Sequence, residues 1–187
     1  MSEIIEFYRN ESDARGVGWF TDIVNRWSDE HWERSHDFIQ WLFPLKTPSN
    51  FNPDAPLLTD EDIALLSDPK SKALEANIFH AFQRFLRFLG LRGEFVFDNN
   101  NLYEDDQYPS DKWRVWKADN FVERENLWNK SNHNWLRITR VLACLKLLKF
   151  DPLSNAFFKC LCELYNKGYG SADSLGYWQK AAEGLIQ

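Results

Sequence analysis

Residues 131–150 read SNHNWLRITRVLACLKLLKF, and their spacing decides the fold class. At about 100° per residue, Trp135, Ile138, Val141, Leu142, Leu145 and Leu148 fall on one broad apolar arc, with His133, Arg137, Arg140 and Cys144 beside it. This predicts a core helix with a basic edge. No Asp or Glu occurs between Asn126 and Phe150, whereas Lys130, Arg137, Arg140, Lys146 and Lys149 do. Guanidinium groups beside a core require a negative partner, supplied either by this chain or by another molecule.

A second block, HDFIQWLFPL at residues 36–45, carries the same mixture of apolar and polar side chains. Together the two blocks resemble the conserved domain of the opioid growth factor receptor family. Its Phe-Tyr-Arg-Asn opening is matched by Phe7, Tyr8, Arg9 and Asn10. Its His-x-x-Ile-Gln-Trp-Leu-Phe-Pro block is matched by His36, Ile39, Gln40, Trp41, Leu42, Phe43 and Pro44. The third block, His-Asn-x-Leu-Arg-Ile-Thr-Arg, is matched by residues 133–140, with Trp135 at the variable position. The blocks occur in family order over residues 7–158. The resemblance implies an α-helical domain and, in the family's namesake, association with an enkephalin peptide and restraint of growth. It implies no defined chemistry. The long repeat-bearing tail of the vertebrate receptors is not among these 187 residues.

A chain of 187 residues that is 44% hydrophobic is expected to form one domain, residues 1–187. Aromatics reach 16%, with nine Trp and fifteen Phe, which suits a core of large rings packed between helices. A net charge of −6 and a pI near 5.3 argue against general affinity for nucleic acid or anionic membrane, since both depend on summed positive charge. No apolar run approaches the roughly 20 residues that span a bilayer, and the amino terminus lacks a signal-peptide pattern. The expectation is a soluble intracellular protein, cytoplasmic or nuclear. Three cysteines, Cys144, Cys160 and Cys162, do not suggest a disulfide framework.

About seven helices and one small hairpin are expected, hence an all-α bundle. The first residues read as an irregular lead into a helix at 19–27. A second helix spans 29–43 and stops at Pro44. Thr59 caps a short helix ending near Ser67, with Asp60, Glu61 and Asp62 in its first turn. Asp68 and Pro69 open the longest helix, which runs to Leu89 and stops at Gly90. Arg84 and Arg87 fall outside its buried stripe and read as solvated. A hairpin fits residues 94–103 around Asp98–Asn101, followed by an exposed acidic excursion at 104–111. Helices then follow at 120–129, from Ser131, from Asp151–Pro152 to Gly168, and from Ala172 through Leu185 and Ile186.

Motifs for chemistry are lacking: there is no HExxH, phosphate loop or nucleophile elbow. His31, His36, His80 and His133 are scattered, and Cys144 lies roughly 16 Å along the helix from His133, too far for a catalytic pair. No catalytic residue, metal ligand or cofactor is expected. The candidate binding residues are His36, Gln40 and Trp41 on the earlier block and His133, Asn134, Arg137 and Arg140 on the later one. Packing of the two helices would let Glu33 or Asp37 meet Arg137 or Arg140, a structural network. Alternatively, the same residues line a polar and aromatic groove for a peptide. A protein-interaction module is the leading function; an enkephalin-like peptide groove, then nucleic-acid contact through the basic-edged helix or an unrecognised hydrolase, follow.

Overall fold

The computed structural model describes residues 1–95, 113–129 and 132–186. Among them are nine α-helices, one 3-10 helix and a two-stranded antiparallel ribbon, the all-α class with a small hairpin that the sequence predicts. The chain forms two compact units, Met1–Arg84 and Phe85–Gln187, with the boundary inside the longest helix. No helix among the described residues is long and apolar enough to cross a membrane.

In the first unit, α1 (Glu3–Tyr8) forms where an irregular lead was expected. Ser2 caps it by accepting from the Ile5 amide, and Ile4, Ile5, Phe7 and Tyr8 are buried. Asn10 follows with φ 58°, and its Oδ1 accepts from both the amide and hydroxyl of Thr21. It thereby caps α2 (Phe20–Asn25), whose own cap position, Trp19, offers no side-chain bond.

The helix expected at 29–43 is two helices, α3 (Asp29–Arg34) and α4 (Ile39–Leu42), because Ser35 turns extended at φ −85°, ψ 138°. The reason is steric economy. Six residues apart on one helix, Trp32 and Phe38 would point about 120° from each other; the break brings their rings to 4.7 Å and lets Phe38 also meet Trp27 at 5.6 Å. His31 and His36 consequently do not share a helix.

Thr59 caps α5 (Asp60–Leu66) in a full capping box with Asp62, whose carboxylate also takes the Ser2 hydroxyl. The longest helix, α6 (Lys72–Phe88), starts later than Pro69. Asp68 instead closes a turn, accepting from the amides of Lys70 and Ser71. Leu74, Ile78, Phe82, Phe85 and Leu89 are all buried, as the expected stripe requires.

In the second unit, Gly90 (φ +73°) ends the helix and donates nothing bulky to its neighbours: a Cβ there would stand 2.9 Å from Arg124 Cβ and 3.0 Å from Phe121 Cα. β1 (Leu91–Glu94) then pairs with β2 (Arg114–Lys117) in the register Leu91–Lys117 to Glu94–Arg114. The ribbon thus begins earlier than expected and takes a later partner strand; the turn at 98–101 and the acidic excursion at 104–111 lie outside the described residues. The helix expected at 120–129 is a 3-10 helix, Phe121–Trp128.

The basic-edged helix is α7 (Asn134–Leu147), packed against α8 (Asp151–Asn166) and α9 (Ala172–Ala182). Ser131, the expected cap, is outside the described residues; Asn132 Oδ1 accepts from the Asn134 amide at 2.8 Å. Pro152 sits in the first turn of α8, and a Ser171–Ser174 capping box opens α9. That last helix is shorter than predicted. Gly184, at φ +76°, reverses the chain, the Leu185 amide bonds back to the Lys180 carbonyl at 2.8 Å, and Leu185 is left exposed.

Trp41 and Leu142 are 2% and 0% exposed, one in each unit. Truncation of either to alanine should cost about 3 kcal/mol, because transfer and cavity terms add. Chemical denaturation followed by far-UV circular dichroism measures this, and a loss under about 1 kcal/mol at either position would contradict the packing described.

Candidate functional site

The seven candidate residues divide between the units, and each half has its own geometry. His36, Gln40 and Trp41 belong to the first. Gln40 is 4% exposed. In the amide orientation that satisfies its surroundings, Nε2 donates to the carbonyls of Asp37 (3.1 Å) and His36 (3.2 Å), while Oε1 accepts from Ser49 Oγ. Gln40 therefore ties down the break between α3 and α4. Trp41 packs at 5.5 Å from Phe7, with the Arg15 guanidinium 5.9 Å from its ring. The Tyr8 hydroxyl donates to the Leu42 carbonyl, fastening the Phe-Tyr-Arg-Asn block to the Ile-Gln-Trp-Leu block. His36 is exposed.

His133, Asn134, Arg137 and Arg140 belong to the second unit. Asn134 is fully buried, and its amide nitrogen donates to Asn132 Oδ1 at 2.7 Å while its own oxygen accepts from Arg137 Nη1 at 3.0 Å. Arg137 is 5% exposed, with its guanidinium 6.0 Å from the Phe88 ring centre. Arg140 is half-buried, and that burial pulls its guanidinium below its ordinary value, offset in part by the neighbouring Cys144. Leu136, within the same block, is 55% exposed. Four of the seven residues, Gln40, Trp41, Asn134 and Arg137, are thus closed to solvent, and the side chains of Gln40, Asn134 and Arg137 make local hydrogen bonds.

One buried arginine escaped sequence reading. Arg84, expected to be solvated, is 4% exposed. Its guanidinium lies 4.4 Å from the Trp32 ring centre, donates from Nη2 to the Trp27 carbonyl at 3.1 Å, and pairs from Nη1 with Asp29 at 2.8 Å. Asp29 opens α3, where the sequence placed a helix start, but Arg84 is remote from it in sequence, so periodicity did not reveal the pair.

The thiols are protected. Burial pushes Cys144 and Cys160 each up to about 12 from an ordinary 9.0, whereas Cys162 is half-buried and raised less. Among the described residues no group of three or more His, Cys, Asp or Glu side chains is placed to hold a metal ion.

Over residues 2–164 the sequence matches the family model described as the opioid growth factor receptor conserved region. It is 33% identical over 144 residues to the opioid growth factor receptor of Mus musculus, covering 75% of this chain and 20% of that one. The Homo sapiens receptor is similarly 33% identical over 144 residues, with 75% and 19% covered. Opioid growth factor receptor-like protein 1 of Mus musculus is 28% identical over 158 residues, with 83% and 30% covered. The chain therefore spans less than a third of the length of these relatives. No solved structure matches it.

Replacing Arg84 by alanine should lower stability by about 3 kcal/mol, because it strands the Asp29 carboxylate and the Trp27 carbonyl; lysine should recover only part, lacking the planar fork. Equal stability of all three proteins in urea would refute the clamp. A second expectation concerns pH. The folded chain keeps the protons of Cys144 and Cys160 up to about 12, against 9.0 ordinarily, so it binds more protons than the unfolded chain between those values. This contribution is fully present below about pH 9 and is lost as pH rises towards 12. Replacing both cysteines by alanine should flatten the fall in melting temperature above pH 9; an unchanged slope would place its origin elsewhere.

Proposed function

We propose that this chain, which belongs to the opioid growth factor receptor conserved-region family, is a non-enzymatic protein-interaction module. The observation that carries the reading is where the family-like blocks spend their polar groups. Tyr8, Asn10, Gln40 and Asn134 bond to backbone or to neighbouring side chains, holding short helices in place. Side chains committed in this way serve a scaffold, and a scaffold acts through the surface it presents. The members of the candidate set that reach solvent are His36, which is exposed, and His133 and Arg140, which are half-buried; with the exposed Leu136 they offer the accessible surface a partner would meet.

A peptide ligand of enkephalin type is the second reading. It is favoured by the relatives' name, which calls them receptors of an opioid growth factor. Contact with nucleic acid ranks below both, because the chain carries a net charge of −6.

The test separates scaffold from surface. Arg137→Ala should lower stability by about 2 kcal/mol through loss of a buried, charge-assisted bond, and should impair partner capture only in proportion to unfolding. A His36→Ala, Leu136→Ala, Arg140→Ala triple variant should keep a near-native melting temperature and lose partners captured from the native lysate. Titration with an enkephalin pentapeptide forms the second arm. Retention of every captured partner by a folded triple variant would exclude these residues from the interaction.

A further inference from the structure

In the second unit the chain holds one of its own cations in an aromatic corner. The Lys117 ammonium, at the end of β2, lies 4.0 Å from the Phe121 ring centre and 4.2 Å from that of Tyr169. The two rings stand 5.3 Å apart at 81°, forming two walls at nearly a right angle. A third ring, Trp128, stacks behind Phe121 at 5.9 Å. The Tyr169 hydroxyl donates to Glu125 at 2.6 Å, which fixes its ring and brings a carboxylate close to the corner. Among the described residues the Lys117 ammonium makes no hydrogen bond and no ion pair, so the ring faces are what hold it.

This is the architecture that selects diffuse positive charge. An ammonium that donates no hydrogen bond uses only its charge and its surface, and methyl groups on nitrogen keep the first while enlarging the second. The corner is reached from the side of Lys117, Tyr169 and Glu125, all half-exposed, while Phe121 is 3% exposed with the Lys117 ammonium over its ring. Glu123, which is exposed, adds negative charge to the segment that bears Phe121, which complements a basic partner.

We propose that the Phe121–Tyr169 corner is a recognition site for an alkylated ammonium, of the kind a methylated lysine on a basic partner segment carries, and that Lys117 occupies it in the free chain as an internal competitor. The proposal deepens the interaction-module reading and rests on it. Lys117 suits the part of competitor: its four-carbon stem is flexible, it is tethered only through β2, and its head lacks the directional bonds that would lock it in place.

The experiment uses three versions of one short basic peptide, carrying trimethyllysine, unmodified lysine, or a neutral tert-butyl isostere at the same position. Each is titrated by calorimetry against the full chain, Lys117→Ala, and Lys117→Ala with Tyr169→Leu. Removal of the competitor should tighten binding of the trimethyllysine peptide at least tenfold, and loss of Tyr169 should abolish the gain. The neutral isostere should bind at least tenfold more weakly than the trimethyllysine peptide. Equal affinity for the charged and neutral peptides, or no gain on removing Lys117, would overturn the proposal.

Should Lys117→Ala fail to fold, the wild-type chain still decides the matter. Saturation transfer from aromatic ring protons to the methyl protons of tetramethylammonium should be seen in the wild type and lost in Tyr169→Leu, and its absence from the wild type would overturn the site. Failure of these probes with lysate partners still captured through His36, Leu136 and Arg140 would remove the corner and leave the module reading standing.

Discussion

The first unit rests on one constraint: helices of four to seven residues cannot stand alone. Among the described residues, α1 to α5 are all of that length, well under the roughly 12 residues at which isolated helices become even marginal. The long α6 answers this with two side chains seven positions apart on one face. Asn77 donates to the Tyr8 carbonyl at the end of α1, and Arg84 donates to the Trp27 carbonyl while pairing with Asp29 at the opening of α3. Trp32 returns the connection by donating its indole N–H to the Ile23 carbonyl of α2 at 2.9 Å. Two of these bonds, to the Tyr8 and Ile23 carbonyls, satisfy groups that the last turn of a short helix leaves open.

The second unit meets the same requirement differently. Its helices α7 to α9 run from 11 to 16 residues, long enough for apolar stripes to do most of the fastening. Indoles supply two of the polar ties. Trp128 donates to the Leu89 carbonyl where α6 ends, and Trp178 donates to the Trp135 carbonyl in the first turn of α7. The aromatic richness of the chain thus serves twice, as buried area and as N–H donors aimed at helix ends.

This contrast explains what the sequence disclosed. Long amphipathic helices declare themselves by period, so α7, α8 and the buried stripe of α6 were legible, as was the Thr59 cap with its acidic first turn. The break at Ser35 was not, because it depends on Trp27, Trp32 and Phe38 meeting in space. Arg84 reads as solvated by position on its helix; only the approach of Trp32 and Asp29 buries it. Gln40, Asn134 and Arg137 were singled out as candidate binding residues, and their type alone left open whether they bond inward or outward. The ring corner was invisible for a simpler reason: Lys117, Phe121 and Tyr169 come from a strand, a 3-10 helix and the loop after α8.

The placement of tryptophan gives the molecule its own optical readout. Trp32 and Trp41 are shut away in the first unit, Trp128 and Trp178 in the second, each under 3% exposed. Indoles in such dry surroundings emit at short wavelength and shift to the red when water reaches them. Trp32 emission is further exposed to the charge of Arg84 over its ring. Single-tryptophan versions of the chain would therefore report the opening of each unit separately, without any added dye, and a difference between their transition midpoints would show how far the two cores melt as one.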